Sequence, residues 1–202
     1  MAVRDALLAL LTAGPAYGFQ LHNELSRRTG GRRRINVGQT YATLERLTKQ
    51  SLVESAGATH DGLPLHRLTA SGREAARAWL DAEGERDADA WAETVDRVLI
   101  ALSLPDVDAS RTIAREAVWW GAPPGDDGET DASSRPDAAG AALRALADDA
   151  DADRARAMVA WLDRAAGAAS SADVAFPFSA ERPRRGRRPV AAGEAPAAQA
   201  SA

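Results

Sequence analysis

The sequence predicts a mainly α protein: an N-terminal winged helix-turn-helix with a small β-hairpin wing, followed by a helical C-terminal dimerisation region. Three observations predict it. Alanine is the dominant apolar residue and aromatics make up only 5% of the 202 residues, which favours helix over sheet. Apolar residues return at spacings of three and four in successive segments separated by Gly, Pro and Asp. Between Leu52 and Leu68 alone, two short apolar stretches flank a cluster of turn residues.

The first helix carries Val3, Leu7, Leu8, Leu10 and Leu11, and Gly14-Pro15 stops it because proline cannot continue a helix. The second runs from Tyr17 to Leu25 with Phe19, Leu21 and Leu25 expected inward, and it ends before Gly30-Gly31. Asn36 then caps a third helix that starts near Val37, with Gln39 in the capping-box position. In this helix Tyr41, Leu44 and Leu47 recur every three residues and are expected to face inward. That leaves Gln39, Ala42, Thr43, Arg46 and Lys49 outward. A capped helix with such a face suits a major groove, where amides and guanidinium groups pair with base edges, although an ordinary surface helix would carry the same pattern.

Leu52 to Ser55 and Leu65 to Leu68, joined through His60-Asp-Gly-Leu-Pro64, predict the hairpin. Thr69 then caps a fourth helix reaching Leu80. Helix, helix, helix, hairpin is the order of a winged helix-turn-helix.

In the second half, Trp91, Val95, Val98, Leu99 and Leu102 share a face of a fifth helix that ends at Pro105. Asp108 caps a sixth carrying Ile113, Ala117 and Trp120, and residues 121–136 read as a mobile loop. A last helical region bears Leu143, Leu146, Met158, Trp161, Leu162 and Ala165, with the acidic tract Asp148 to Asp153 expected to bend or split it. From Phe176 onward the composition of Pro, Ala, Gly and Arg predicts disorder. The expected boundaries are 1–82 for the DNA-binding domain, 83–170 for the dimerisation and effector region, and 171–202 for the tail.

The stretch from Leu7 to Leu80 resembles the PadR family of bacterial transcriptional regulators. The residues that carry the resemblance are Gly14-Pro-Ala-Tyr-Gly-Phe19, Gly38-Gln-Thr-Tyr41, Leu44-Glu-Arg-Leu47, Leu52-Val-Glu54 and Leu68-Thr-Ala-Ser-Gly72. It extends more weakly to Asp96 to Val107 and to Val159-Ala-Trp-Leu-Asp163. The resemblance implies a dimeric repressor with Gly38 to Gln50 as recognition helix and Tyr41 near the phosphate backbone. Ser51 stands where the family has glycine, so a positive φ there is expected to cost roughly 1 kcal/mol.

Charge fits that expectation. Residues 1–80 hold eleven Arg and Lys against six Asp and Glu, whereas residues 81–175 hold nine against twenty-one. A basic head on an acidic body lets only the head meet phosphates. The residues expected at base edges are Gln39, Thr43 and Arg46, and those expected at phosphates are Arg32, Arg33, Arg34, Tyr41 and Lys49. A crevice containing Trp91, Trp119, Trp120 and Trp161 could take a small hydrophobic effector, or these rings could be plain core.

Other chemistry finds no support. The chain has no cysteine and three histidines without paired ligand spacing, and it shows no phosphate loop or nucleophile elbow. No enzyme activity, cofactor or metal is expected. The apolar runs are too short to span a membrane, Asp5 interrupts any signal-like start, and a cytoplasmic location is expected. The expected partners are double-stranded DNA and a second copy of the chain. The other function class open to the sequence is a winged-helix module that binds protein and no DNA.

Overall fold

A leucine-rich first helix anchors the N-terminal half. In the computed structural model, which describes residues 2–83, 89–122, 138–170 and 174–179, α1 spans Ala2–Leu10 and tightens into a 3-10 turn at Leu11–Ala13. Gly14 follows at φ 131°, a backbone angle that suits glycine, and the chain turns into a two-residue strand, β1 (Ala16–Tyr17). Helix α2 is Gly18–Arg28 and α3 is Val37–Lys49. Strands β2 (Val53–Ala58) and β3 (Pro64–Leu68) form the wing, and α4 is Ala70–Leu80. The sheet order is β1-β3-β2, both pairings antiparallel, with Ala16 opposite His66 and Val53 opposite Leu68. Tyr17 therefore belongs to a strand and not to the second helix, because pairing with Leu65 claims its backbone.

The expected caps are in place. Asn36 Oδ1 accepts the Gln39 backbone N–H at 2.7 Å, and Thr69 Oγ1 accepts that of Gly72 at 3.1 Å. A Cβ on Gly72 would lie 1.9 Å from the Leu52 carbonyl oxygen, so only glycine lets α4 pack on the chain entering the wing. Ser51 does adopt a positive φ, 56°.

The second half contains α5 (Ala90–Ser103), α6 (Ala109–Gly121) and α7 (Ala138–Ala169). Asp108 caps α6 as expected, accepting from Ser110 N at 3.1 Å. Helix α7 runs as one 32-residue helix and does not break at its acidic tract. Its aspartates alternate with good helix formers and lie in solvent, where each costs only a fraction of a kcal/mol. The loop expected at 121–136 lies outside the described residues beyond Ala122.

Two apolar clusters result. The first joins Leu7, Leu8, Leu10, Leu21, Leu25, Leu44 and Leu47 to Val53, Leu68 and Leu80, and reaches Ile100 of α5 and Leu104 just after it. The second joins Val95, Val98 and Ile113 to Trp120, Met158, Leu162 and Ala165. Leu143 and Leu146, in the first turns of α7, are 69% and 65% exposed.

One part of the expected disordered tail is docked. Residues 174–179 run along α2: the Phe176 N–H donates to Ser103 O at 3.1 Å, and the Ser179 N–H donates to Glu24 Oε1 at 2.8 Å. Phe176 lies under the guanidinium groups of Arg27 and Arg28, and Phe178 packs on the first cluster. Two aromatics in a Pro- and Ala-rich stretch suffice because their partners are supplied by α2. The expected disorder of 180–202 lies outside the described residues.

Candidate nucleic-acid interface

Helix α3 is held from below by Thr40, Thr43, Leu44 and Leu47, all buried. These positions follow the i, i+3, i+4, i+7 spacing of a single helix stripe. Two sequence expectations are corrected here. Tyr41 is 45% exposed and does not face the core, whereas Thr43 is 3% exposed and does not face solvent. At about 100° per residue, a stripe centred on Thr40, Leu44 and Leu47 takes in Thr43 and carries Tyr41 round to the flank.

The Tyr41 ring lies instead against the start of α2. A Cβ on Gly18 would come within 2.6 Å of its Cε1, so Gly18 makes room for the ring. Thr43 supports its neighbour, accepting from Arg46 Nη2 at 3.1 Å, while Arg46 Nε donates to the Ala42 carbonyl at 3.4 Å. Arg46 thus lies folded along its own helix with its outer face in solvent. Lys49 pairs with Glu45 at 2.7 Å on the exposed surface, which also holds the Glu45 carboxyl below its ordinary pKa. Gln39 and Ala42 are exposed beside them.

The three arginines before α3 diverge. Arg34 is exposed. Arg33 Nε donates to Asp96 Oδ2 of α5, and Arg32 stands 4.0 Å from Asp96 Oδ1. Asp96 is almost fully buried, and burial raises its pKa against the opposing pull of Arg33 and Arg32. The sequence points these arginines to phosphates and gives Asp96 no role, since nothing local signals a carboxylate on α5 behind the loop. It also gives no sign of Arg4, which shares a groove of about 270 Å³ with Arg33, Gln39 and Arg46. The wing contributes Arg67, paired with Glu54 at 2.8 Å, and His66, whose pKa burial lowers.

The tryptophans are partly brought together. Trp120 meets Trp91 edge-on at 6.0 Å and Trp119 at 4.8 Å, and its Nε1 donates to Thr94 Oγ1 at 3.0 Å. Trp161 packs on the same cluster from α7. Trp120 is buried, whereas Trp119 is 41% exposed on α6 beside Val118. Among the described residues, no group of His, Cys, Asp or Glu could hold a metal ion, and no helix is long and apolar enough to cross a membrane.

A small sheet, two supporting helices and a hairpin are thus organised around one capped helix with a cationic, amide-bearing face. Residues 7–78 match the Transcriptional regulator PadR-like family. This stretch is PadR-like. Among solved structures, the chain is similar to Bacillus subtilis PadR in complex with operator DNA, at 18% identity and TM-score 0.39, over 84% of this chain and 100% of that one. It is likewise similar to Bacillus subtilis PadR in complex with p-coumaric acid, at 18% identity and TM-score 0.37, over 85% of this chain and 100% of that one. Among curated proteins none matches. The PadR-like stretch ends within α4, so α5 to α7 lie beyond the match.

Proposed function

We propose that the protein is a homodimeric DNA-binding transcriptional repressor, with residues 1–82 as its reading head and 83–170 as its dimerisation and effector body. The observation that carries this is α3: capped at Asn36, buried along one stripe, and presenting Gln39, Ala42 and Arg46 to solvent together. In the major groove Arg46 leaves Thr43 and takes a base edge, with Gln39 beside it. Thr43 acts through Arg46 rather than by reaching a base itself. Tyr41, Arg32, Arg34 and Lys49 meet phosphates, joined by Arg33 once Asp96 releases it.

The body supplies the second copy. Val118, Trp119, Leu143 and Leu146 are apolar and exposed, and a two-fold twin would cover them while presenting two reading heads. The operator is then a near-palindrome with half-sites about one turn, ~10 base pairs, apart. A small hydrophobic effector beside Trp91, Trp119, Trp120 and Trp161 would act through its differential affinity for DNA-competent and DNA-incompetent arrangements of the heads. The protein works in the cytoplasm, without cofactor or catalysis.

The test is binding of the purified protein to its own upstream DNA and to a scrambled duplex of equal length across a salt series. Selective, salt-sensitive binding is expected, with Arg46→Ala reducing discrimination and Lys49→Ala weakening both duplexes alike. Equal weak binding to both, or equal loss of both in the Arg46 variant, overturns the assignment.

A further inference from the structure

One edge of the reading face of α3 borders a groove along nearly the whole helix. Gln39, Thr43, Arg46, Leu47 and Gln50 line it at i, i+4, i+7, i+8 and i+11, a single stripe about 16 Å long at 1.5 Å per residue. Val3 and Arg4 of α1 stand on the opposite wall, with Arg33 from the loop before α3. The groove measures about 270 Å³, and none of the described residues lining it is acidic.

Size and charge restrict what can enter. Small-molecule sites run from roughly 300 to 1,000 Å³ and enclose most of the ligand. This groove is smaller, and Gln39, Arg46 and Gln50 on its rim are exposed. Guanidinium groups match a phosphate in a fixed, often two-bonded geometry. A phosphate carried by a larger molecule that stays outside the groove therefore fits better than a free effector. Arg33 is turned to Asp96 and Arg46 lies along α3 on Thr43, which leaves Arg4 as the guanidinium facing α3 from the α1 wall.

A helix with its side chains is about 10–12 Å across and a major groove about 12 Å wide, so α3 fills the groove it enters. A residue on the helix beside it meets the phosphate strand at the lip of that groove and not the base edges. Arg4 is such a residue. It lies outside the PadR-like stretch at 7–78, and its side chain is 38% exposed. Its Nη1 donates to Asp5, whose side chain is only 15% exposed. Neighbours one apart on a helix diverge, so Arg4 reaches Asp5 only by folding sideways, and a part-exposed pair of this kind is weakly held. Little opposes its exchange for a phosphate.

We propose that Arg4 is a positioning residue that leaves Asp5 to hold the DNA phosphate at the lip of the groove read by α3, and so sets how α3 is seated. The inference rests on the DNA-binding reading above and adds α1 to the surface that meets DNA.

The test compares the parent chain with Arg4→Ala, Arg4→Lys and Asp5→Asn on the protein's own upstream DNA and on a scrambled duplex of equal length, each in a salt series. Arg4→Ala is expected to weaken both duplexes alike, by about eightfold at ~0.1 M salt, and to lower the salt slope by ~0.9, the share of one neutralised phosphate. Arg4→Lys should keep the slope, because a point charge still displaces the counterion. Asp5→Asn releases Arg4 and should bind at least as tightly as the parent. Each phosphate of the upstream duplex is then replaced in turn by a neutral methylphosphonate. At one phosphate per bound protomer the replacement should weaken the parent and leave Arg4→Ala unaffected, a pattern that a general folding defect does not produce. An unchanged salt slope in Arg4→Ala overturns the proposal, as does a loss in Asp5→Asn equal to that in Arg4→Ala. The lack of any phosphate to which Arg4→Ala alone is blind overturns it too, and each of these results reduces Arg4 to a structural partner of Asp5. If the parent itself binds neither duplex, the DNA-binding reading fails and this inference with it; if the parent binds and only the Arg4 results fail, that reading stands.

Discussion

The head and the body bury different things. In the head, Leu7, Leu8, Leu10, Leu21, Leu25, Leu44 and Leu47 are almost completely enclosed, and Tyr41 is its one large exposed hydrophobic among the described residues. In the body, a charged pair sits inside: Glu116 accepts from Thr94 Oγ1 at 2.9 Å and from Arg97, whose Nη2 reaches Glu93 at 2.6 Å. Glu93 in turn accepts from Trp79 Nε1 of α4 at 2.9 Å. Meanwhile Val118, Trp119, Leu143 and Leu146 stay outside. The head builds its core mainly from leucines, with a buried ion pair, Glu24–Arg28, where residues 174–179 dock. The body spends buried volume on an ionic network that links α5 to α6 and to α4, and leaves Val118, Trp119, Leu143 and Leu146 in solvent. Specificity of arrangement rather than maximal stability is what such a network provides.

The largest effect should come from breaking that network on one side only. Glu116→Ala leaves the buried Arg97 only its bond to Glu93 beside the Trp79 ring, and a loss of about 3 kcal/mol in urea unfolding is expected. Arg97→Met with Glu116→Leu should recover most of it, because two apolar side chains need no partners. If the double variant is as unstable as the single one, the network is packing and not charge. For comparison, Leu47→Ala in the head should cost about 2–5 kcal/mol with no such rescue available from a second site.

Next in size is the exposed face. Leu143→Asp with Leu146→Asp touches neither cluster, so the unfolding midpoint extrapolated to low protein concentration should be unchanged. Self-association in sedimentation should weaken by roughly two orders of magnitude, as expected when charges are forced into a buried contact. An unchanged association constant would rule out the N-terminal end of α7 as the proposed dimer contact.

Much of the head can be read in the sequence because its signals are local. Asn36 and Thr69 cap helices whose first turns come immediately after them, and the wing is bracketed by its own turn residues. Polar side chains with distant partners are the part that cannot be read. Thr43 is expected outward because a hydroxyl in a helix defaults to solvent, yet it is buried on the same stripe as Thr40, Leu44 and Leu47. Glu24 and Arg28 look like an ordinary surface pair at i, i+4; their burial depends on Ser103 and Phe176, seventy-five and more residues away. The docking of Phe176 and Phe178 is hidden by a composition that, averaged over the tail, argues for disorder. The site divides the same way: the exposed faces of Gln39 and Arg46 are legible, and the hold of Asp96 on Arg33 is not.

That hold gives the third prediction, at the seam between head and body. Asp96→Asn should free Arg32 and Arg33, raising affinity for any duplex several-fold and steepening the salt slope by about 1–2, one step of ~0.9 for each phosphate newly met. The raised carboxyl pKa also sets a pH dependence. A folded protein that holds this proton more tightly than the unfolded chain gains stability from it below the ordinary value near 3.9, and loses that gain as pH rises through the raised value. The stability of the Asn variant relative to the parent should therefore fall as pH is lowered through that window. A pH-independent difference would show that Asp96 does not titrate there.

The smallest effect sharpens the comparison from the side of the head. Ser51 closes α3 at φ 56°, and its N–H bonds back to the Thr48 carbonyl at 3.0 Å while Leu52 N reaches Leu47 O at 3.0 Å. This is the turn by which helices end on a left-handed residue, a conformation glycine adopts without the Cβ clash. Ser51→Gly should stabilise the head by about 0.5–1 kcal/mol, the relief of that clash less the extra freedom glycine gives the unfolded chain. Because Ser51 is exposed and sits past the last turn of α3, DNA affinity should not change. If the glycine variant instead binds DNA more weakly without losing stability, then the strain at Ser51 holds α3 against the wing in its reading position, and the head, like the body, trades stability for a fixed geometry.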